Sequence, residues 1–274
     1  MCKYLFTIFI SISFLWGHGS VHHRIDNISQ QIENSKQNTE LYITRAALYI
    51  ESKHYSDAKK DLEIASKDKK NYLITQYYFA KINFLKQNYN KAEKDVQSLI
   101  ENYPKTLLSR SLYQLSIAIY LASHQENKAI KTYKDFISKM PKLVMAKDYF
   151  LLTNLLIKHK KYNEALNFIT KAIHRFGELT LFIEKRIEIH TQKKEYKEAL
   201  EDIELLIQKK KRLPYLYRQK GKLYQMIQDD YSALQCYMKS LKIIQNMSTR
   251  QQKIPIIRKL KRELVKDINI LNKK

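Results

Sequence analysis

The sequence predicts an all-α protein built as an α-α superhelix, a solenoid in which helical hairpins stack one on the next. Glycine is scarce, with four residues in a chain of 274, so tight β-hairpins and phosphate-binding glycine loops lack the residue they depend on. A short motif also recurs along the chain: a tyrosine, an alanine three positions later, and apolar residues four and seven positions after that alanine. Recurrence of this kind is typical of stacked repeats.

Residues 1–19 are predicted to be a secretory signal peptide. Lys3 precedes an apolar run at residues 4–16, and the small residue Gly19 follows the run, in the order that such peptides show. The run is shorter than the roughly 20 apolar residues that cross a bilayer. We therefore expect an exported protein, periplasmic or secreted, whose mature chain keeps Cys236 as its single cysteine and forms no internal disulfide.

Residues 20–38 are predicted to form an N-terminal half-repeat that caps the array. Ile25, Ile28 and Ile32 recur at helical spacing and make one apolar stripe. A solenoid needs such a cap, because its terminal repeat would otherwise expose the apolar face that an inner repeat buries against its neighbour.

Residues 39–249 are predicted to form six helical hairpins. The aligned alanines lie 34 to 37 residues apart, a period typical of helix–turn–helix units; they are Ala58, Ala92, Ala129, Ala165, Ala199 and Ala233. In the first copy, apolar residues at helical spacing lie on both sides of the turn, which indicates two amphipathic helices. In the sixth copy Tyr231 is two residues before its alanine rather than three, so we expect one residue fewer after that turn.

This pattern resembles the tetratricopeptide repeat (TPR), which has an aromatic residue at position 4, small residues at 8 and 20, and apolar residues at 24 and 27. The first copy supplies Tyr42, Ala46, Tyr49, Ala58, Leu62 and Ala65. The sixth copy has Gly221 at position 8. The small side chains are expected to let the two helices of a hairpin approach closely. The resemblance implies a non-catalytic scaffold that binds a protein or peptide partner.

Residues 250–274 are predicted to form a basic C-terminal capping helix. Its apolar stripe consists of Ile257, Leu260, Leu264, Ile268 and Leu271. The opposite side of the helix carries Arg258, Lys259, Arg262 and Lys266. Capping with a polar outer face accounts for this arrangement, and weak contact with an anionic membrane surface is the alternative.

The net charge of +23 leaves two other function classes open: a helical-repeat protein that binds RNA, and a component that organises anionic envelope material. A code of one base per repeat needs polar pairs at constant positions, but the corresponding positions here vary from Ile43 to Tyr77 to Gln114. A lysine-rich genome composition explains part of the charge without an anionic partner. We therefore expect no nucleic-acid partner.

Motifs for catalysis or metal binding are absent from the sequence. It contains no glycine-rich phosphate loop, no HExxH motif and no paired cysteines at metal-ligand spacing. The sequence therefore predicts no enzymatic activity, no cofactor and no metal site.

The resemblance also implies where a partner binds, because the first helices of TPR hairpins line a concave groove. Carried onto this sequence, the groove residues are Tyr77, Lys81, Lys86, Lys147, Phe150, Asn154, Arg218 and Lys222. Their aromatic rings offer contact area and their cations offer steering, so we expect an acidic or C-terminal peptide with an apolar anchor. The clamp of relatives that bind chaperone tails is not reproduced in adjacent repeats, and Glu184 and Glu188 interrupt the basic trend.

Overall fold

A computed structural model describes residues 21–209 and 213–273. Among these residues the regular structure is entirely helical, with fifteen α-helices, two short 3-10 helices and no strand. The predicted signal peptide lies outside the described residues. The described residues form two compact units, one within residues 1–140 and the other within residues 141–274.

The first unit contains seven α-helices, of which the last six form three packed pairs. They are α1 Val21–Asn34, α2 Thr39–Glu51, α3 Tyr55–Ala65, α4 Tyr72–Leu85, α5 Tyr89–Asn102, α6 Ser109–Ala122 and α7 Glu126–Lys139. Helix α2 packs on α3, α4 on α5, and α6 on α7, while α1 packs on α2. The first helix of each pair is called the A helix below and the second the B helix.

The second unit repeats this arrangement and adds a long helix at its end. Its helices are α8 Ala146–Lys158, α9 Tyr162–Phe176, α10 Thr180–Gln192, α11 Tyr196–Gln208, α12 Leu213–Met226, α13 Asp230–Gln245, α14 Thr249–Gln252 and α15 Pro255–Leu271. The A helices α8, α10 and α12 pack on the B helices α9, α11 and α13, and α15 packs on α13.

Small residues let the A and B helices approach closely. All six aligned alanines are fully buried, as expected for side chains at the crossing point of two helices. In the sixth hairpin Gly221 lies against the ring of Tyr237, so close that an added Cβ would be 2.4 Å from a ring carbon. The volume of the side chain at these positions therefore sets the separation of the helices.

Every A helix from α2 to α12 ends in the same left-handed turn. The residues with positive φ, between 57° and 65°, are Lys53, Gln87, His124, Lys160, Lys194 and Gln228. In the first hairpin the Lys53 amide donates to the carbonyl of Ile50, and the His54 amide donates to that of Tyr49 at 2.8 Å. The other five turns have the same two bonds, which together close a helix end as a Schellman motif.

The prediction of a shorter turn in the sixth hairpin is wrong. Gln228 precedes Ala233 by five residues, the same separation that every other left-handed residue keeps from its alanine. The tyrosine alone is displaced: Tyr231 lies in the first turn of α13 and is 74% exposed. The turn keeps its length because its two closing hydrogen bonds involve backbone groups only.

Two hairpins contain a nearly buried ion pair between their A and B helices. Arg45 donates from Nε and Nη2 to Asp61 at 2.8 and 2.7 Å, and Arg186 holds Asp202 in the same bidentate way. The aspartates are 3% and 5% exposed, so each depends on its arginine for compensation of its charge.

The two terminal helices, α1 and α15, bury their apolar stripes on the adjacent hairpins. Ile32 of α1 packs with Tyr42 and Ala65. Leu260, Leu264 and Leu271 of α15 form a cluster with Ala233, Tyr237 and Ile244 of α13. Each helix thus covers the apolar end of its own unit, as a cap does in a repeat array.

Candidate partner-binding surface

In the first unit, α4 places Tyr77 and Lys81 one turn apart on a surface that α2 and α6 also form. The half-buried Tyr77 hydroxyl bonds to Ser111 of α6, and burial raises the pKa of Tyr77. The Lys81 ammonium lies 5.9 Å from the centre of the Tyr78 ring. Burial lowers the pKa of Lys81, and the carboxylate of Glu51 in α2 opposes this effect. Helix α6 therefore contacts Tyr77, and helix α2 places a carboxylate near the partly desolvated Lys81.

Lys86 lies apart from this pair, at the end of α4. It is the C-cap residue, exposed, and its amide donates to the carbonyls of Ile82 and Phe84. The left-handed residue Gln87 follows directly. Lys86 is thus at the turn between α4 and α5, where it can contact a partner only at the margin of the surface around Lys81.

In the second unit, Phe150 of α8 is half-buried beneath a cation from the next A helix. The Lys185 ammonium of α10 lies 5.4 Å from the centre of the Phe150 ring and also pairs with Glu188 at 2.7 Å. Asn154 follows one turn later and is half-buried, and Lys147 in the first turn is exposed. The Phe150 ring offers apolar contact, and the Asn154 amide and the ammonium groups of Lys147 and Lys185 offer hydrogen bonds to a partner.

Arg218 of α12 is engaged by the C-terminal helix. Its Nε donates to Asp267 at 2.7 Å and its Nη1 donates to Glu263 at 2.6 Å, and the arginine side chain is 14% exposed. A partner carboxylate would have to displace these two bonds. Lys222, one turn further along α12, is exposed.

Several contributors to these surfaces were not among the residues predicted from sequence. Lys185 lies over Phe150, Ser111 bonds to Tyr77, and Glu51 acts on Lys81. The repeat register alone does not identify these neighbours, because they come from other hairpins. Glu188, which interrupted the basic trend, is neutralised locally by Lys185 on its own helix.

The described residues offer neither a metal site nor a membrane span. Across residues 21–209 and 213–273, no group of three His, Cys, Asp or Glu side chains is placed to hold a metal ion. None of the helices in those ranges is long and apolar enough to cross a bilayer.

Comparisons with known proteins give structural matches alone. No protein-family model matches the chain, and no curated protein does. The C-terminal part of a TPR repeat-containing protein from Cytophaga hutchinsonii is 16% identical with a TM-score of 0.62, covering 85% of this chain and 94% of that one. A TPR protein from Parabacteroides merdae is 15% identical with a TM-score of 0.50, covering 86% and 93%.

A third match is a chain of the Naa15/Naa10 complex bound to HypK-THB. It is 10% identical with a TM-score of 0.54, and the match covers 88% of this chain but 36% of that one, so this protein spans about a third of its length. Likeness at such low identities shows the fold. The predicted all-α array of TPR-like hairpins is therefore confirmed, and the chain has the tetratricopeptide-repeat fold.

Proposed function

We propose that this protein is a non-catalytic scaffold that acts outside the cytoplasm and binds a protein or peptide partner on its A helices. Both units support this, because in each a cation of an A helix lies against an aromatic ring of an A helix: Lys81 by the buried Tyr78 ring and Lys185 by the half-buried Phe150 ring. Solved proteins of this fold include one captured with a bound protein, the Naa15/Naa10 complex with HypK-THB.

The observation that carries the proposal is the environment of Lys81. Burial lowers the pKa of Lys81, so its charged form is poorly solvated. Glu51, the carboxylate that acts on it, is itself paired with Arg24 at 3.6 Å. A carboxylate brought by a partner would compensate this cation, and the half-buried Tyr77 beside it would contact an apolar side chain. An acidic or C-terminal peptide segment with an apolar anchor fits this surface.

Two substitutions test the surface against a partner captured from an envelope fraction and identified by mass spectrometry. Lys81→Glu should slow association, with an effect that shrinks as salt screens the charge. Phe150→Ala should weaken binding by about 2 kcal/mol if the ring is a central anchor. Lys94→Glu is the matched control, because it makes the same charge change at an exposed position on the B helix α5.

The assignment is refuted if Lys81→Glu and Phe150→Ala both bind like the parent protein. Binding kinetics at low and high salt separate the two effects, since the charge reversal acts on the association rate and the truncation on dissociation. If Arg258→Glu or Arg262→Glu abolishes binding instead, the partner uses the outer side of α15.

The location outside the cytoplasm has its own test. Intact-mass measurement of the protein from its native source should give a chain that begins close to Ser20, because the apolar run at residues 4–16 is expected to be removed. A full-length chain recovered from the cytosol would contradict export and would revive the RNA-binding alternative.

Weak contact between α15 and an anionic membrane surface is a second candidate function. Both carboxylates of α15, Glu263 and Asp267, are held by Arg218. Neither carboxylate of α15 is therefore free to neutralise the exposed cations on its outer face and just after its end, which are Arg258, Lys259, Arg262, Lys266 and Lys273. Each cation close to an anionic surface contributes about 1 kcal/mol, so reversing two of them should reduce binding to vesicles that contain phosphatidylglycerol.

A further inference from the structure

Large apolar side chains are exposed where the A helices of the second unit and α15 begin. Each helix contributes at least one: Met145 before α8 is 56% exposed, Leu179 before α10 46%, Tyr215 in the first turn of α12 39%, and Ile256 in the first turn of α15 68%. Three more are exposed beside them: Leu143, Leu181 and Ile254. These seven residues are called the apolar edge below.

The helices that carry the apolar edge are neighbours within the second unit. Helix α10 contacts α8, its residues Ile183 and Ile187 share a core cluster with α12, and Arg218 of α12 bonds to α15. Helices α10 and α12 pack on the B helices that precede them in the chain, and α15 packs on α13, so these helices and α8 run in the same direction and their N-terminal ends lie on the same side of the unit. Adjacent helices pack about 10 Å apart, which spaces the exposed side chains along a row.

Hydrogen bonds hold the loops of the apolar edge in place. Arg175 donates to the carbonyls of Pro141 and Val144, and the Met145 amide donates to Asp148 at 2.7 Å. These bonds fix the loop that carries Leu143 and Met145. Lys209 likewise donates to the carbonyl of Glu178, at 2.8 Å, and fixes the residue next to Leu179. The apolar side chains are thus presented to solvent on a constrained backbone.

The same side of the unit is basic. Lys142, Lys147 and Lys253 are exposed close to the apolar side chains. The carboxylates in these loops are already engaged: Glu178 pairs with Lys209 at 3.1 Å, and Asp148 is 3% exposed. The helix N-termini add partial positive charge. An occupant of the apolar edge must therefore be anionic and must accept apolar side chains.

We infer that the apolar edge docks on an anionic lipid bilayer, with its apolar side chains inserted among the headgroups and its lysines on the phosphates. A folded partner would need a separate pocket for each side chain in the row, whereas a fluid interface accommodates spaced side chains without matching their shape. Tyrosine at a membrane interface and cations near anionic headgroups are both favourable. The surface differs from the outer face of α15, and it shares Lys147 with the proposed partner-binding surface.

Tryptophan placed on the apolar edge tests this docking directly. The probe is Met145→Trp, and the matched control is Met238→Trp in the middle of α13, where the methionine is 52% exposed. Each variant is made in the chain that begins at Ser20, the expected mature form, and is mixed with vesicles of phosphatidylcholine and phosphatidylglycerol, with and without brominated acyl chains. Because the single tryptophan of the sequence is Trp16, the introduced tryptophan is then the only source of tryptophan emission, and the parent chain from Ser20 supplies the background.

Docking predicts that M145W emission shifts to shorter wavelength and that brominated lipid quenches it about twofold more than M238W, because only the edge residue reaches the acyl boundary. The double variant L179S/I256S should bind these vesicles about tenfold less tightly than the parent. Vesicles of phosphatidylcholine alone should bind more weakly, because the lysines then lack anionic headgroups.

Three results would overturn the inference. M145W and M238W could respond alike, which would show that the edge is not oriented towards the bilayer. The double variant could bind vesicles like the parent while R262E/K266E loses binding, which would assign the contact to the outer face of α15. Vesicle binding could be absent while L179S/I256S abolishes binding of a purified protein, which would make the edge a protein interface.

Discussion

Replacing a left-handed lysine by glycine should stabilise the protein. Lys53 ends α2 with φ of 65°, a conformation in which the Cβ of an L-residue crowds the following carbonyl oxygen. Glycine has no Cβ and adopts this conformation freely. The two hydrogen bonds that close the turn involve backbone groups, so Lys53→Gly keeps them. The lysine side chain is exposed, and little packing is lost with it.

The expected gain is the difference between two opposing terms. The left-handed conformation costs a non-glycine residue about 1–2 kcal/mol of folding free energy. Glycine loses more chain entropy on folding than other residues do, which costs about 0.5–1 kcal/mol. The net stabilisation is therefore about 0.5–1 kcal/mol for each turn. Because the six turns lie in separate hairpins, glycine at all six positions should add roughly 3–6 kcal/mol if the effects are independent.

Equilibrium unfolding in urea, followed by circular dichroism, measures this gain as a higher midpoint at an unchanged slope. The control is Lys131→Gly, which removes another exposed lysine from the interior of α7. That substitution should cost about 1 kcal/mol, since glycine lowers helix propensity by this amount. The same change of residue should therefore act in opposite directions at the two positions.

Equal destabilisation by Lys53→Gly and Lys131→Gly would refute the reasoning. It would mean either that residue 53 is not left-handed in solution or that the lysine stem contributes packing that outweighs the strain. Lys53→Asn separates these explanations, because asparagine tolerates the left-handed region better than lysine and lacks the long stem. A gain with asparagine would locate the effect in the backbone.

Two further predictions concern the contacts within hairpins. Gly221→Ala should destabilise the protein by about 1–3 kcal/mol, measured by urea unfolding, because the new Cβ would lie 2.4 Å from the Tyr237 ring; an unchanged midpoint would show that the ring can move aside. Arg186→Ala should cost about 3–5 kcal/mol, because it leaves Asp202 buried without its partner. Lys60→Ala, which removes an exposed pair, should cost under about 1 kcal/mol, and equal losses would contradict the role of burial.

The hairpins could be predicted from sequence because the determinants of a TPR-like unit are local. The alanine period set the number of hairpins and the register of their helices, and all six alanines are buried where that register puts them. The stripe from Leu260 to Leu271 likewise predicted the face of α15 that packs on α13. Burial of an amphipathic stripe follows from its spacing along one helix, so a single segment contains the necessary information.

The turns were less accessible to sequence reasoning. Four of the six hairpins have a tyrosine three residues before the alanine, the third has Glu126 there, and in the sixth the displaced Tyr231 suggested a shorter turn. The structure shows the same left-handed residue in every turn, although none of the six is glycine. Backbone hydrogen bonds impose this conformation. Because they do not involve the side chain, the residue type at the position does not reveal that its backbone is left-handed.

The chemistry of the candidate surfaces was decided by tertiary structure. Sequence placed Arg218 among the groove residues, but Glu263 and Asp267, 45 and 49 residues further along the chain, engage it. Phe150 was predicted as an anchor, and the position of α10 puts Lys185 over its ring. The register of a repeat predicts the direction in which a side chain points from its own helix. Its neighbours, its solvation and its charge balance depend on helices from other repeats, and only the packing of those helices determines them.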